Sequence, residues 1–187
     1  MANLMKKNGY SAILRLFGWQ IIGNFPAGYS KSLCIMVPHT SGWDFVIGIM
    51  VRGSIGMNIR FVAKHNLFKF PLGGIMKALG GYPVNRQASS NFVFSIVEII
   101  NKESNFHLGI APEGTRKKVI KLKTGFYYIA QKAKVPLFLV KFDFEHRTID
   151  FGEPFCVTGD MEKDIEYIRQ YYKGVKGKVP AYSYGVD

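Results

Sequence analysis

Short apolar runs alternate along most of the chain with longer segments whose apolar residues recur at helical spacing. The short runs predict buried β-strands, and the longer segments predict amphipathic helices. The strands are predicted over residues 33–37, 60–63, 80–84, 106–110, 136–143 and 148–151. The helices are predicted over residues 41–52, 71–79, 91–102, 124–134 and 160–172. Helices that separate short apolar strands indicate one α/β domain with a mixed or largely parallel sheet flanked by helices.

The N-terminal part differs from the rest because an apolar and aromatic run over residues 10–25 follows two lysines. The uncharged stretch over residues 16–30 has 15 residues, fewer than the roughly 20 that a membrane-spanning helix needs. Residues 1–30 are therefore predicted to form an apolar or amphipathic helical segment, and residues 31–187 the main domain. Such a segment lies in a membrane interface or in the protein core, and both alternatives fit the pattern.

Composition is that of a globular protein. Of the 187 residues, 48% are hydrophobic and 20% are charged, which argues against a disordered or fibrous chain. The two cysteines, Cys34 and Cys156, are too few for a disulfide framework or a multi-cysteine zinc site, so a reduced, cytoplasmic protein is expected. The histidines are scattered without metal-ligand spacing, and no bound metal is predicted.

Positive charge is concentrated in the first half of the chain. The formal net charge is +12, and residues 1–97 carry +9 of it, with Asp44 as the single acid among them. Residues 116–134 add seven basic residues and no acid. This charge attracts phosphate-rich or acidic partners, such as an anionic membrane surface, nucleotides, nucleic acid or an acidic carrier protein. Nucleic acid is not expected as a partner, because none of its usual binding motifs is visible.

A histidine and an aspartate lie five residues apart at the end of the first predicted strand. His39 and Asp44 belong to the segment PHTSGWD, which leaves that strand and enters a helix. A carboxylate that accepts a hydrogen bond from one ring nitrogen leaves the other nitrogen as a base. The alternative is structural: Ser41 and Asp44 match a capping box, in which Asp44 accepts from the Ser41 N–H.

Two later segments add charged residues next to glycines. The segment GGYPVNR over residues 80–86 ends in Arg86, whose planar guanidinium suits a phosphate or carboxylate, or is an ordinary surface arginine. The segment PEGTR over residues 112–116 follows a predicted strand and brings Glu113 and Arg116 into one turn. Those two residues form part of a site or a surface ion pair that contributes little to stability.

Taken in order, these segments resemble the motifs of the glycerophospholipid acyltransferase family, typified by bacterial 1-acylglycerol-3-phosphate acyltransferase. That family has an H-x4-D motif, a block ending in arginine, a P-E-G-T-R block and a later V-P segment. The corresponding blocks of this chain are His39…Asp44, residues 82–86, residues 112–116 and Val135-Pro136. The resemblance extends over residues 33–155, and four blocks in one order are far more specific than any single block.

The resemblance implies the family's α/β acyltransferase fold, with residues 31–187 as the catalytic domain. It implies that His39 is the general base for an acceptor hydroxyl and that Asp44 orients the imidazole. The residues implied in binding the acceptor are Arg86, Glu113, Gly114, Thr115 and Arg116.

The implied reaction moves a fatty acyl group from acyl-CoA or acyl carrier protein to the hydroxyl of a lysophospholipid such as 1-acylglycerol-3-phosphate. Because a thiol with a pKa of about 8.5 is a good leaving group, neither a nucleophilic serine nor a further cofactor is expected. The expected partners are the lysophospholipid, the acyl donor and an anionic membrane surface. The expected location is peripheral, on the cytoplasmic face of the membrane.

Two positions depart from the family pattern. Pro38 stands before the histidine, where many members have asparagine, and Ala111 replaces the aromatic residue that usually precedes P-E-G-T-R. The acceptor is therefore a lysophospholipid or another amphiphile with a free hydroxyl, such as a lyso-aminolipid. Two other functions stay open: a non-catalytic basic module that binds anionic membranes, and an acyl thioesterase in which His39 activates water.

Overall fold

A computed structural model describes residues 2–25, 28–84 and 89–186. The strands are β1 (Gln20–Ile22), β2 (Lys31–Val37), β3 (Ile59–Lys64), β4 (Gly81–Val84), β5 (Phe106–Ile110), β6 (Leu137–Asp143) and β7 (Thr148–Phe155). The α-helices are α1 (Ala2–Leu16), α2 (Trp43–Ile55), α3 (Gly73–Ala78), α4 (Ser89–Lys102), α5 (Gly125–Ala133) and α6 (Met161–Tyr171). Short 3-10 helices occupy His65–Phe68 and Pro180–Tyr182. Each strand and helix predicted from the pattern is present, with its ends shifted by a few residues at most.

The seven strands form one sheet in the order β1-β7-β6-β2-β5-β3-β4. All neighbouring pairs are parallel except β6 and β7, which are antiparallel. Antiparallel pairing fits the four-residue connection between β6 and β7, since parallel neighbours need a longer crossover. The prediction of a mixed, largely parallel sheet flanked by helices is confirmed.

Two hydrophobic cores lie on opposite faces of this sheet. Consecutive residues of β2 point to opposite faces, so Leu33 and Ile35 join one core while Cys34 joins the other. The first core contains buried side chains of α4, α5 and α6, among them Ile96, Phe126 and Ile168. The second contains buried side chains of α1 and α2, such as Leu14 and Ile47.

The apolar N-terminal run is divided between a helix and a strand. Helix α1 ends at Leu16, and Gly18 has a positive φ of 74°. The chain then continues as β1, an outermost strand of the sheet. Helix α1 packs on α2, where Ser11 Oγ lies 2.6 Å from Ser54 Oγ. Leu14 is buried, whereas Leu16 is 82% exposed. The segment therefore contributes to the core and also presents apolar side chains to its surroundings, and the division at residue 30 stays a prediction.

Among the described residues, no helix combines the length and the apolar character that crossing a bilayer requires.

Candidate active site

The two loops that carry the predicted site residues leave the same edge of the sheet. Strands β2 and β5 are parallel neighbours, and Ile35 of β2 pairs with Ile110 of β5. Residues 38–42 follow β2 and residues 111–124 follow β5, so both loops begin at the carboxyl ends of these strands. We call this side of the sheet the carboxyl edge. In open α/β sheets, ligands commonly bind there.

His39 and Asp44 form a hydrogen-bonded pair at this edge. His39 Nδ1 lies 2.9 Å from Asp44 Oδ2, and the two side chains are 26% and 6% exposed. Because Nδ1 is occupied by the carboxylate, Nε2 is the ring nitrogen left to exchange a proton. The structure thus brings together the two residues that the sequence paired.

The same carboxylate oxygen also organises the loop. Asp44 Oδ2 accepts hydrogen bonds from the backbone N–H groups of Thr40 and Ser41, both at 2.9 Å. Ser41 Oγ in turn accepts from the Trp43 N–H at 3.2 Å. The hydrogen bond from the Ser41 N–H to Asp44 and the histidine–aspartate pair, which the sequence analysis treated as alternatives, therefore exist together. The rest of the predicted capping box is absent, because the N-cap residue of α2 is Gly42 and no side chain caps the helix.

Glu113 is buried behind the histidine. Its side chain is 2% exposed, and Oε2 accepts a 2.7 Å hydrogen bond from the His39 backbone N–H. Burial raises the pKa of this carboxyl to about 8; the His39 N–H opposes the rise and the Asp44 charge adds to it. Among the described residues, the ion pairs do not include one between Glu113 and Arg116. The glutamate thus contacts the loop backbone instead of forming a surface ion pair.

The last three residues of the PEGTR segment lie at a cavity that His39 and Asp44 also line. Gly114, Thr115 and Arg116 all contribute to its wall. The Arg116 guanidinium is next to Gly42, where an added Cβ would lie 3.7 Å from Nη1. Gly114 has a positive φ of 67°, a conformation that favours glycine. Arg86, the remaining predicted binding residue, lies outside the described residues.

The cavity extends from this polar end into the protein and has a volume of about 620 Å³. Its inner wall lies between the sheet and α2 and is mostly apolar, although Arg52 and Arg60 also line the cavity. The side chains and glycines of that wall include Met36, Gly48, Val51, Val140, Phe142 and Phe151. The sequence analysis did not find this cavity, because its lining comes from separate parts of the chain, within residues 34–52, 59–76, 109–116 and 140–151. Gly48 within an apolar helix is the one local signal.

A tyrosine that the sequence analysis also missed lies between β2 and β6, next to the strand that leads to the site. Tyr172 is fully buried, and its hydroxyl accepts from the Val140 N–H at 3.1 Å and donates to the Ile35 carbonyl at 2.5 Å. Burial raises its pKa well above the usual value, so the hydroxyl keeps its proton. Tyr172 thereby joins the C-terminal part of the chain to β2.

The acyltransferase family model matches residues 20–141 of this chain, which is more than half of its length. The chain therefore belongs to the acyltransferase family, which confirms the predicted class of enzyme and the family resemblance. No curated protein matches significantly.

Among solved structures, the fold is similar to the crystal structure of the 1-acyl-sn-glycerophosphate (LPA) acyltransferase PlsC from Thermotoga maritima. The TM-score is 0.61 at 17% sequence identity, and the match covers 90% of this chain and 76% of that one. At this identity the likeness establishes the fold, and it confirms the expected α/β acyltransferase architecture.

Proposed function

We propose that the protein transfers a fatty acyl group from a thioester donor, acyl-CoA or acyl carrier protein, to the hydroxyl of a lysophospholipid such as 1-acylglycerol-3-phosphate. The observation that carries the proposal is the His39–Asp44 pair, at 2.9 Å, at the mouth of an apolar cavity in a chain of the acyltransferase family. His39 is the general base, and Asp44 holds it in the tautomer that leaves Nε2 unprotonated.

In this reaction, His39 Nε2 takes the proton of the acceptor hydroxyl while the oxygen attacks the thioester carbonyl. Asp44 stabilises the imidazolium that forms, and collapse of the tetrahedral intermediate releases the thiolate, to which the imidazolium returns the proton. The ester is the product, and no covalent acyl-enzyme is needed. Correct positioning of hydroxyl and thioester accounts for several kcal/mol of the barrier.

The cavity supports a fatty acyl substrate. Most of its inner wall consists of aliphatic and aromatic side chains, and each CH₂ group moved there from water contributes about 0.8 kcal/mol. An acyl chain in the cavity places its thioester at the polar mouth, where His39 lies. A polar or charged acyl group would lose its hydration along the apolar part of this wall.

An arginine near the mouth supports an acceptor that carries a phosphate. Arg116 lines the cavity close to Gly42, and a guanidinium binds a phosphate through two parallel hydrogen bonds. In our proposal Thr115, Gly114 and Arg86 complete the binding of the acceptor. Glu113 acts through the His39 backbone, since its carboxyl is buried and bonded there.

A peripheral position on the cytoplasmic face of an anionic membrane completes the proposal. Residues 1–97 carry a net charge of +9, and the exposed side chains at the end of α1 include Leu16 and Phe17, 82% and 61% exposed. Basic charge beside exposed apolar groups is the combination that binds anionic lipid surfaces.

The test measures thiol release and ester formation from acyl-CoA or acyl carrier protein with 1-acylglycerol-3-phosphate. His39→Ala should lower the rate roughly 10²–10⁴-fold, the usual contribution of a general base. His146→Ala is the matched control, because His146 Nδ1 also lies 2.7 Å from an aspartate, Asp143, but the pair is not part of the cavity wall. Equal loss in both variants, or none in His39→Ala, would contradict the proposed base.

The same assay separates the alternative functions. A thioesterase would release thiol and free fatty acid at a rate that added acceptor does not redirect into ester. A non-catalytic basic module would bind anionic vesicles in a salt-sensitive manner, unchanged by His39→Ala, and would transfer no acyl group to any acceptor.

A further inference from the structure

The chain between β3 and β4 exposes an unusual number of large apolar side chains. Phe70 is 98% exposed, Ile75 59%, Leu72 51% and Leu67 42%. Exposed apolar residues that occur singly are normal, but a contiguous group of them indicates an interaction surface. We call residues 67–75 the Phe70 segment.

Local hydrogen bonds hold Phe70 at the tip of this segment. The Gly73 N–H donates to the Lys69 carbonyl at 2.9 Å, which closes a tight turn around residues 70–72. Residue 73 has no room for a side chain, because an added Cβ would clash with the Phe68 carbonyl oxygen. The turn therefore has a defined shape, and Phe70 points away from the core as part of that shape.

The Phe70 segment lies at the carboxyl edge, next to the cavity. It follows β3, which is parallel to β5, and Leu67 contributes to the cavity wall. Met76, one residue beyond the segment, lines the cavity as well. Some side chains of this short stretch thus line the cavity, and others are exposed at the protein surface.

The charged residues of the chain in and next to the segment are all basic. Lys69 within it and Lys77 just after it are exposed, and no aspartate or glutamate occurs in residues 45–97. An apolar tip with lysines on both sides matches an anionic bilayer, where the aromatic ring enters the interface and the ammonium groups meet lipid phosphates.

We propose that the Phe70 segment inserts into the surface of an anionic phospholipid bilayer and delivers lipid substrates to the cavity beside it. This inference rests on the proposed function and adds to it a second contact with the membrane, far in sequence from α1. Trp43, 59% exposed at the start of α2, lies between Gly42 and Asp44, which both line the cavity. Two separate segments thus present apolar side chains beside the cavity, which would shorten the path of a lipid tail through water.

The test compares Phe70→Ser with Phe94→Ser in binding to vesicles of equal parts phosphatidylcholine and phosphatidylglycerol. Phe94 is the matched control because it is 60% exposed on α4, a helix of the first core, on the face of the sheet opposite to α2 and the cavity. Phe70→Ser should weaken vesicle binding roughly 10-fold, the effect of removing one phenyl ring from an apolar environment, whereas Phe94→Ser should bind like the wild type. Equal binding by all three proteins, or an equal loss in both variants, would overturn the proposal.

A second variant reports insertion directly once the emission of Trp19 and Trp43, measured in the wild type, is subtracted. In the difference spectrum, Phe70→Trp should show a blue shift on mixing with these vesicles and quenching by lipids brominated on the acyl chain. Emission from residue 70 that vesicles do not change would overturn insertion even if the protein binds them. A Phe70→Ser variant that binds vesicles normally but loses affinity for acyl carrier protein, or for a second copy of the chain, would also overturn it.

Activity separates this inference from the proposed function. With a short-chain acceptor dissolved as monomers, Phe70→Ser should transfer acyl groups at the wild-type rate, whereas with long-chain acceptor in vesicles its rate should fall roughly 10-fold. If the wild type acylates no acceptor at all and Phe70 still determines vesicle binding, the proposed function is contradicted. The inference that the Phe70 segment binds the bilayer is then still supported. If acyl transfer occurs but both vesicle assays are insensitive to Phe70, only this inference fails.

Discussion

The backbone N–H of Val179 donates a 3.1 Å hydrogen bond to Oγ1 of Thr40, the residue that follows His39, the proposed base, in the chain. Gly177 lies against the same hydroxyl, and its N–H donates to Ser183 Oγ, a fully buried side chain. The acyltransferase family model ends at residue 141, so this contact comes from a part of the chain outside the match. The C-terminal segment thus packs behind the loop that holds His39.

Thr40→Val tests whether this contact positions the histidine. Valine keeps the shape of threonine but removes the acceptor, which leaves the partly buried Val179 N–H without its partner at a cost of about 1–3 kcal/mol. We expect a roughly 10-fold lower kcat with little change in the KM of the donor, because a displaced base affects the reaction more than donor binding.

Thr40→Ser is the control, since serine keeps the hydroxyl; it should restore most of the lost kcat. A Thr40→Val enzyme with unchanged kcat, or a Thr40→Ser enzyme as slow as Thr40→Val, would contradict a positioning role for the hydroxyl. Thermal unfolding of both variants shows how much of any loss comes from overall stability.

Asp44→Asn separates the two roles of the Asp44 carboxylate. An amide oxygen still accepts from the Thr40 and Ser41 N–H groups, so the loop and the thermal stability should change little. A neutral amide does not stabilise the imidazolium that forms on His39, so kcat should fall roughly 10²–10⁴-fold. Asp44→Ala should lose both activity and stability, and an Asn variant as unstable as the Ala variant would show that the loop depends on the charge itself.

Most of the architecture was predictable from the sequence because most strands and helices have a local pattern. The run over residues 106–110 is apolar and short, and the structure has β5 at the same residues. By contrast, β1 was missed, because its three residues lie within a run whose apolar character also suits a helix. The positive φ at Gly18, where the helical geometry ends, is a backbone conformation that the apolar pattern does not indicate.

The site was predictable in part for a related reason. His39 and Asp44 are close in sequence, so their pairing across one helical turn follows from local geometry. The contact of Glu113 with the His39 N–H joins residues 74 positions apart, and it depends on β2 and β5 being neighbours in the sheet. Neither the spacing of residues nor the charge pattern indicates that β2 and β5 are neighbours.

Gly48 offers a test of the cavity as an acyl-chain site. It lines the cavity from α2, and a Cβ added there would lie 3.7 Å from Phe142 Cζ, an ordinary van der Waals contact. Gly48→Leu should fill part of the cavity and lower the rate with long acyl donors much more than with short ones. The measurement is kcat/KM across a series of acyl-CoA chain lengths.

Gly48→Ala is the control at the same position. Alanine adds one methyl group without a clash and favours the helix by about 1 kcal/mol, so its stability should equal or exceed that of the wild type. Its chain-length preference should shift less than that of the leucine variant. A leucine variant that is equally slow with every chain length would mean that the substitution disturbs the fold instead of shortening the cavity.

The raised pKa of Glu113 predicts how stability depends on pH. Burial raises this pKa from an ordinary 4.5 to about 8, so between these values the folded state binds a proton that the unfolded state releases. The contribution of this proton to the free energy of unfolding is fully present below pH 4.5. It declines by a few kcal/mol as the pH rises through 8. Glu113→Gln keeps an acceptor for the His39 N–H but does not titrate, so its unfolding free energy should vary less over this range.

The difference between the wild-type and Glu113→Gln curves isolates the glutamate from the buried histidine on β5. Burial lowers the pKa of His107, whose Nδ1 lies 2.8 Å from Ser32 Oγ, so its contribution has the opposite sign: stability declines as the pH falls below 6.5. The contribution of His107 to the unfolding free energy should be the same in both proteins, so it cancels when one curve is subtracted from the other. The difference between the two curves should then vary with pH only between pH 4.5 and 8. Parallel curves over this interval would mean that Glu113 is ionised in the folded protein at neutral pH, and that the His39 N–H outweighs burial.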